Sequence, residues 1–156
     1  MNLRTDRLLL RPVTAEDQPW LLAHWTAPEV RRFFLDGAVL TPTEVTQVID
    51  DFATHGLWLI HHHTSPIGTA GLRPLDNLGI ELTYTLAPEA WGNGYATEAA
   101  TAVLDYALGT LGLPEVLAEI DEGNTASAAV IKRLGMTPFD VVPGLLGPMT
   151  HYRVTR

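Results

Sequence analysis

The segment from residue 80 to residue 120 constrains the fold of this 156-residue chain more than any other. Residues 80–86 are rich in β-forming side chains, and residues 95–111 carry small or aliphatic side chains at a period close to that of a helix. Residues 116–120 form a second short apolar run. A strand, a helix and a second strand in this order predict a β-α-β unit whose two strands are parallel.

The flanking segments predict a mixed sheet around this unit. Further strands are predicted at residues 7–13, 57–60 and 67–72 and around Phe139 and Tyr152. Further helices are predicted to begin near Thr14, Pro28, Thr41 and Asn124. We therefore expect a single domain, residues 1–156, of the α/β (α+β) class, with a mostly antiparallel sheet, one central parallel pair and flanking helices.

Composition and charge narrow the function. The chain has no cysteine, which excludes disulfides, catalytic thiolates and cysteine-based zinc sites. No apolar run approaches the roughly 18 residues that span a bilayer. The N-terminus lacks an apolar signal region, so a cytoplasmic protein is expected. The formal net charge of −8, with only 10 basic residues, argues against direct nucleic-acid binding and favours cationic partners such as amines.

The turn that precedes residue 95 is the candidate ligand site. Gly92 and Gly94 permit positive φ and close approach, and Asn93 tolerates the same left-handed conformation and can also hydrogen-bond locally. Free N–H groups at the start of the next helix, together with the helix dipole, favour an anion here. A P-loop Gly-Lys-Ser/Thr and a three-glycine dinucleotide fingerprint are both absent. From local chemistry alone, a glycine-rich connection that binds nothing is an equal alternative.

Three segments, spread over nearly the whole chain, carry recognisable motifs. They are residues 5–12, TDRLLLRP; residues 88–99, PEAWGNGYATEA; and residues 124–136, which begin NTAS and end KRLGM. In this order they resemble the GNAT superfamily of N-acetyltransferases, in the branch that includes ribosomal-protein-alanine acetyltransferases. Gly94 and Ala96 take the small positions of the family's acetyl-CoA signature. Trp91 stands where Gln or Arg is usual, a departure that this branch commonly shows.

The resemblance implies acetyl-CoA as cosubstrate and no metal. The backbone N–H groups of residues 92–97 would cradle the pyrophosphate, and the edge of strand 80–86 would pair with the pantetheine arm, which Asn124 would also contact. The thioester would lie where this strand splays from strand 116–120. The residues expected to bind the cosubstrate are Tyr84, Thr85, Leu86, Trp91, Gly92, Asn93, Gly94, Tyr95, Ala96, Thr97, Asn124 and Ser127.

Glu81 is the candidate general base. Its register matches the acidic residue on the family's corresponding strand, and an amine must lose its proton to attack a thioester. Neutralising a lysine-like amine at pH 7 costs about 4–5 kcal/mol, against about 1–1.5 kcal/mol for an α-amine, so the base matters more for the former. Glu119 on the next strand is the second candidate, and a surface role for Glu81 is the alternative.

Ser127 is the candidate donor to the leaving thiolate. Many family members carry a tyrosine four residues later, where this chain has Ile131, and the branch uses the serine instead. A capping role for Ser127 beside Asn124 is equally compatible with the sequence. Since a thiol has a pKa near about 8.5, the thiolate can also leave without an acid. The other tyrosines left as candidates are Tyr84, Tyr106 and Tyr152.

Two further clusters invite a functional interpretation. Residues 61–63 are three consecutive histidines, but neighbouring side chains on a strand point to opposite faces and cannot converge on one metal ion, so a polar hairpin end is predicted. Aromatic residues in the first helices belong to the region that walls the acceptor site in the family, although such residues are more often core than ligand. They are Trp20, Trp25, Phe33 and Phe34.

The leading hypothesis is acetyl transfer from acetyl-CoA to a primary amine, on a protein N-terminus or a small molecule. Direct attack in a ternary complex is expected because no cysteine is present to form an acyl-enzyme. A catalytically silent acyl-CoA-binding module is the alternative, motivated by Ile131. A different phosphate-ligand enzyme is disfavoured by the second motif at residues 124–136. The acceptor and the oligomeric state, with a homodimer among the options, stay open.

Overall fold

The computed structural model describes residues 1–155, which form one eight-stranded sheet with helices on both faces. The strands are β1 (Leu3–Arg4), β2 (Leu8–Pro12), β3 (Leu57–His62), β4 (Ser65–Leu75), β5 (Gly79–Leu86), β6 (Glu115–Asp121), β7 (Thr137–Gly144) and β8 (Gly147–Thr155). Their order in the sheet is β1-β2-β3-β4-β5-β6-β8-β7. Only β5 and β6 are parallel, which confirms the predicted mixed class.

Five α-helices connect these strands. They are α1 (Gln18–Thr26), α2 (Pro28–Arg31), α3 (Pro42–Asp51), α4 (Tyr95–Asp105) and α5 (Thr125–Arg133). The helix predicted over residues 95–111 is an α-helix only as far as Asp105 and continues as one π-helical segment, Tyr106–Thr110. The two-residue strand β1 was not predicted, because two residues are too few to show a periodicity. Within residues 1–155 no helix is long and apolar enough to cross a membrane.

Side-chain alternation along the strands separates two hydrophobic cores. Trp58 and Ile60 pack on the side of α4 and α5, whereas Leu57 and Leu59 pack on the side of α1 and α3. We call these sides the α4 face and the α1 face. On β5, Leu82 packs on the α4 face, so its neighbour Glu81 points to the α1 face. The sheet therefore presents different chemistry to its two helical layers.

The parallel pair at the centre of the sheet is barely joined. β4 and β5 pair continuously from Gly68 opposite Leu86 to Leu75 opposite Gly79. By contrast, β5 and β6 are paired only where Glu81 lies opposite Leu117. After that point the two strands diverge, and the edge of β5 that faces β6 is left without a strand partner. The predicted splay is confirmed.

Candidate active site

The turn before α4 is built by two glycines and one amide. Gly92 and Gly94 both have φ of 78°, a left-handed conformation that glycine adopts without steric strain. Asn93 is not left-handed. Its side-chain Nδ2 instead donates hydrogen bonds to the carbonyls of Ala90 and Trp91, at 3.1 and 3.0 Å. The local hydrogen bonding predicted for Asn93 is confirmed and explains why an asparagine stands there, whereas its tolerance of the left-handed conformation is not used.

The turn leaves a row of unsatisfied backbone donors. The first hydrogen bond of α4 runs from Glu98 N to Gly94 O, at 3.1 Å. The N–H groups of residues 92–97 donate to no acceptor within residues 1–155. A Cβ placed at Gly92 would meet no atom within 4 Å, so this surface is open. Such a row of donors at a helix N-terminus is suited to a phosphate.

Arg7 adds a cation that the sequence analysis did not single out. Its guanidinium lies 4.6 Å from the Tyr95 ring centroid, and its Nε donates to Glu98 Oε1 at 2.8 Å. A Cβ at Gly94 would lie 3.5 Å from Arg7 Nη2. The indole of Trp91, at the position where the family usually has Gln or Arg, donates to Leu86 O at 2.9 Å. The tertiary contact between the residue before β2 and α4 brings this cation to the turn.

The α4 side of the gap between β5 and β6 brings Tyr84 and Ser127 together. The Tyr84 hydroxyl donates to the backbone carbonyl of Ser127 at 3.1 Å, and burial raises the pKa of Tyr84 to about 12. Asn124 caps α5, because its Oδ1 accepts from Ser127 N at 3.3 Å. Its amide NH₂ and the Ser127 hydroxyl donate to no group within residues 1–155. Both groups can therefore contact a ligand while the cap stays intact.

Thr85 faces the other way, into a buried polar chain on the α1 face. The Trp25 indole donates to Thr69 Oγ1 at 3.3 Å, and the Thr69 and Thr85 hydroxyls lie 2.6 Å apart. Thr85 Oγ1 in turn lies 2.8 Å from His24 Nε2. Burial lowers the pKa of His24 to about 4, so the imidazole is neutral and can accept a hydrogen bond from the Thr85 hydroxyl. This chain fixes the backbone of β5 behind the splay.

The buried, neutral His24 predicts a pH-dependent stability. Its pKa of about 4 lies below the unfolded value of 6.5, so the unfolded chain takes up the proton first as the pH falls. The contribution is fully present above pH 6.5, and about 3 kcal/mol of unfolding free energy is lost on going down to pH 4. Urea unfolding measures the free energy of unfolding of the native chain and of His24→Gln, and the difference between the two should shrink by this amount as the pH falls from 6.5 to 4. His63→Asn, at an exposed histidine, is the control, and an equal change there would contradict the assignment.

Glu81 is a buried carboxylate beside the splay. The residue is 5% exposed, and its Oε1 accepts from Arg73 Nε at 2.8 Å. Burial raises its pKa above the ordinary value, an effect that Arg73 opposes and the nearby Glu119 reinforces. Oε2 has no hydrogen-bond partner within residues 1–155. The sequence analysis did not identify Arg73 as the partner of Glu81. Both residues lie four positions from Asn77 in the hairpin turn, so the turn alone places them opposite each other.

Glu119 lies in the same cleft. Its Oε2 is 2.7 Å from His151 Nε2, and β6 places it on the α1 face with Glu81. Both carboxylates line a cavity of about 560 Å³ whose wall also includes Arg73 and Asp76. The two candidate bases therefore share one cavity, next to the only paired residues of β5 and β6.

Comparison with known proteins identifies this architecture. The family profile described as an acetyltransferase (GNAT) domain matches residues 7–137. This chain belongs to the GNAT family. It is 31% identical over 145 residues to the uncharacterized N-acetyltransferase p20 of Bacillus licheniformis, covering 85% of this chain and 80% of that protein.

Solved structures agree with the family assignment. An acetyltransferase from Agrobacterium tumefaciens superposes with a TM-score of 0.85 at 28% identity, covering all of this chain and 95% of its own. The ribosomal L7/L12 alpha-N-protein acetyltransferase RimL, solved with coenzyme A, gives a TM-score of 0.83 at 15% identity and covers 99% and 98% of the two chains. At that identity the second likeness concerns the fold alone.

The remaining candidates of this GNAT domain are two tyrosines and the three consecutive histidines. Tyr106 packs against Trp58 on β3, with ring centroids 5.3 Å apart, and Tyr152 lies opposite Ala118 on β8. The histidines at 61–63 span the end of β3 and its turn, where His62 Nε2 lies 3.2 Å from the Tyr95 hydroxyl. Within residues 1–155 no three side chains are grouped to hold a metal.

The aromatic residues of the first helices divide between the core and partly exposed positions in this GNAT domain. Trp25 and Phe34 are buried, with ring centroids 5.4 Å apart. Trp20 is only half-buried and stacks on His24 at 4.6 Å. Phe33 lies under the guanidinium of Arg32, 4.8 Å from its ring centroid. Trp25 and Phe34 thus serve packing, whereas Trp20 and Phe33 keep partly exposed surfaces.

Proposed function

We propose that this chain transfers an acetyl group from acetyl-CoA to a primary amine by direct attack in a ternary complex. The observation that carries the proposal is the row of free N–H groups at residues 92–97, which lies next to the gap between β5 and β6. A pyrophosphate bound to these N–H groups, with an extended pantetheine arm in the gap between β5 and β6, would place the acyl group near Glu81. Family membership supports the reaction class.

The residues present fit an acetyl-CoA molecule. Backbone donors from Gly92 to Thr97 would hold the pyrophosphate, with the Arg7 guanidinium beside them. The free edge of β5 at residues 84–86 would pair with the amides of the pantetheine arm, and the Asn124 side-chain NH₂ would donate to it. The cosubstrate supplies the acyl thioester, and the chain supplies its position.

The chemistry asked of Glu81 is proton removal from the acceptor nitrogen. An ammonium acceptor first gives one proton to the Glu81 carboxylate, which passes it to water. The neutral nitrogen then forms a bond to the acyl carbon, the carbon–sulfur bond breaks, and the second proton lost by the nitrogen goes to water by the same route or to the departing thiolate. Oε2 is the oxygen available for this, because Arg73 occupies Oε1. Burial raises the pKa of Glu81, which brings it closer to that of a useful base at neutral pH.

Ser127 is proposed to stabilise the departing sulfur by a hydrogen bond. Its hydroxyl donates to no other group within residues 1–155, and it lies on the side of the gap opposite Glu81. The Tyr84 hydroxyl is already bound to Ser127 O, and its pKa of about 12 makes it a poor proton donor to a thiolate. Since a thiol has a pKa of about 8.5, the thiolate of coenzyme A can leave without being protonated on the enzyme.

A catalytically silent acyl-CoA-binding module is the second candidate. It rests on Ile131, which takes the position of the family's tyrosine and is fully buried in the core under α4. No other side chain replaces that hydroxyl on the same turn of α5. Such a module would keep the donor site and show no turnover.

Thiol release separates the two candidates. We expect the chain to release free thiol from acetyl-CoA when an amine is added, and mass spectrometry to find one acetyl group on that amine. The panel should include alkylamines, polyamines and peptides with free N-termini, because RimL is named for α-N acetylation of a ribosomal protein. Micromolar binding of acetyl-CoA with no thiol release on any amine would favour the module. An acetylated enzyme trapped without acceptor would contradict direct transfer.

A further inference from the structure

The end of β5 has to be both unpaired and ordered if it is to bind the pantetheine arm. Residues 84–86 have no strand partner on the side of β6, because β5 and β6 pair only where Glu81 lies opposite Leu117. A strand end that is paired along one edge only is less firmly held than a strand in the middle of a sheet. An arm that had to order this edge on binding would bind more weakly, so something else must hold the edge.

Thr85 connects this end of β5 to the helical layer on the α1 face. Its hydroxyl lies 2.6 Å from that of Thr69, the residue directly opposite on β4, and 2.8 Å from His24 Nε2 on α1. The indole of Trp25, the next residue of α1, donates to Thr69 Oγ1 at 3.3 Å. None of the four residues is more than 8% exposed. We call Trp25, Thr69, Thr85 and His24 the polar chain.

One arrangement of donors gives every hydrogen of the polar chain an acceptor. An indole N–H can only donate, so Thr69 accepts from Trp25 and its own hydroxyl donates to Thr85. The Thr85 hydroxyl then donates to His24 Nε2, which accepts because the buried imidazole is neutral. Loss of the Thr85 hydroxyl would leave the Thr69 hydroxyl and His24 Nε2 buried without these partners. Thr85 is therefore the member that joins the sheet to α1 at the free edge.

The residue before Thr85 is bound on the opposite face of the sheet. The Tyr84 hydroxyl donates to the backbone carbonyl of Ser127 on α5 at 3.1 Å. Two consecutive side chains of β5 are thus fixed to α5 on one face and to α1 on the other, and a rotation of the strand about its own axis would break one of these bonds. Thr83 lies on the same face as Thr85, but its side chain makes no hydrogen bond within residues 1–155.

We propose that Thr85 is a positioning residue for acetyl-CoA, whose hydroxyl, through the polar chain, holds the free edge of β5 in the extended conformation that the pantetheine arm requires. The hydroxyl is already bound to Thr69 and His24, so it acts through the strand and not by a contact of its own with the cosubstrate. The inference rests on the donor half of the proposed function, because it takes residues 84–86 as the partner of the arm.

Removal of the hydroxyl tests the proposal with two ligands. Thr85→Val keeps the shape of the side chain, and the Kd for acetyl-CoA, measured by calorimetry, should rise by about fivefold or more, the effect of ordering about one residue's backbone on binding. The second ligand is adenosine 3′,5′-bisphosphate, which has the nucleotide end of coenzyme A without the arm. Its Kd should change by less than about twofold, since it has no amides to pair with β5. Thr85→Ser restores the hydroxyl and should bind acetyl-CoA with nearly native affinity.

Two further positions serve as control and as second test. Thr83→Val makes the same change on the same strand and face, where no side-chain hydrogen bond is lost, and should keep the native affinity for acetyl-CoA. His24→Phe keeps a ring that can stack on Trp20 but cannot accept from Thr85, so it should weaken acetyl-CoA binding and spare the nucleotide. His24→Gln keeps an accepting oxygen and should weaken it less. The His24 pair decides the question if Thr85→Val does not fold, which urea unfolding of each variant reports.

The outcomes separate this inference from the function on which it rests. Native acetyl-CoA affinity in Thr85→Val, or an equal loss of affinity for both ligands, would overturn the positioning role and leave the acetyltransferase. An equal loss in Thr83→Val and Thr85→Val would do the same. A native chain that binds acetyl-CoA no more tightly than the nucleotide would remove the arm from β5 and overturn both. Tight acetyl-CoA binding without thiol release on any amine would overturn the transfer alone.

Discussion

Replacing Glu81 with glutamine is expected to lower kcat by about 100-fold or more, because a general base contributes about 10²–10⁴ to such reactions. The amide oxygen of glutamine can still accept from Arg73, so the cross-strand contact that holds the side chain at 2.8 Å is kept. Affinity for acetyl-CoA, measured by calorimetry, should stay within about twofold, since the carboxylate lies on the opposite face from Tyr84 and Ser127.

The acceptor modulates this effect. Deprotonating an alkylamine with a pKa of about 10 costs about 4 kcal/mol at pH 7, whereas deprotonating an α-amine with a pKa of about 8 costs much less. The loss caused by Glu81→Gln should therefore be larger for the alkylamine. Glu119→Gln is the comparison, with a smaller loss expected because Glu119 is bound to His151. A greater loss of kcat in Glu119→Gln than in Glu81→Gln would show that Glu119 is the general base.

Replacing Gly94 with valine is expected to weaken acetyl-CoA binding by more than tenfold. The new side chain would project into the space before the free N–H groups of α4, where a phosphate has to approach. Within the protein, the added Cβ meets only the end of Arg7, at 3.5 Å, which is ordinary contact. The loss should therefore come from the ligand and not from repacking of the chain.

Gly112→Val is the matched control for backbone strain. Gly112 has φ of 65°, and an added Cβ there would meet nothing within 4 Å. Both variants force valine into a left-handed conformation and should lose a similar unfolding free energy, of about 1–2 kcal/mol. Only Gly94→Val should lose acetyl-CoA affinity as well. Equal acetyl-CoA affinities in Gly94→Val and Gly112→Val would contradict the proposal that the pyrophosphate binds at this turn.

Most of the fold was predictable because its signals are local. The helical period after residue 95, the glycine turn before it and the hairpin around residues 63 and 64 each lie in one continuous segment. The error in the helix after residue 95 has a local cause too. The π-helical end of α4 carries the same apolar side chains as an α-helix, so the sequence does not distinguish the two hydrogen-bond patterns.

The charged partners of the site were not all predictable in the same way. Arg73 lies opposite Glu81 by the register of one hairpin, which its turn already indicates, whereas His151 approaches Glu119 through a strand 32 residues away. Arg7 reaches the glycine turn from the far end of the sequence, with Glu98 as its ion-pair partner 91 residues on. A sequence shows that these charges exist, but their distances depend on how the strands are ordered in the sheet.

The proposed acetyl-CoA site was predictable from the sequence alone. The free N–H groups, the glycines that expose them and the strand before them are consecutive, so their geometry follows from local backbone preferences. An acidic cavity on the α1 face depends on the tertiary structure. Asp36, Asp76, Glu119 and Asp140 line it together although they come from four separate segments, because the order of the strands in the sheet brings those segments side by side.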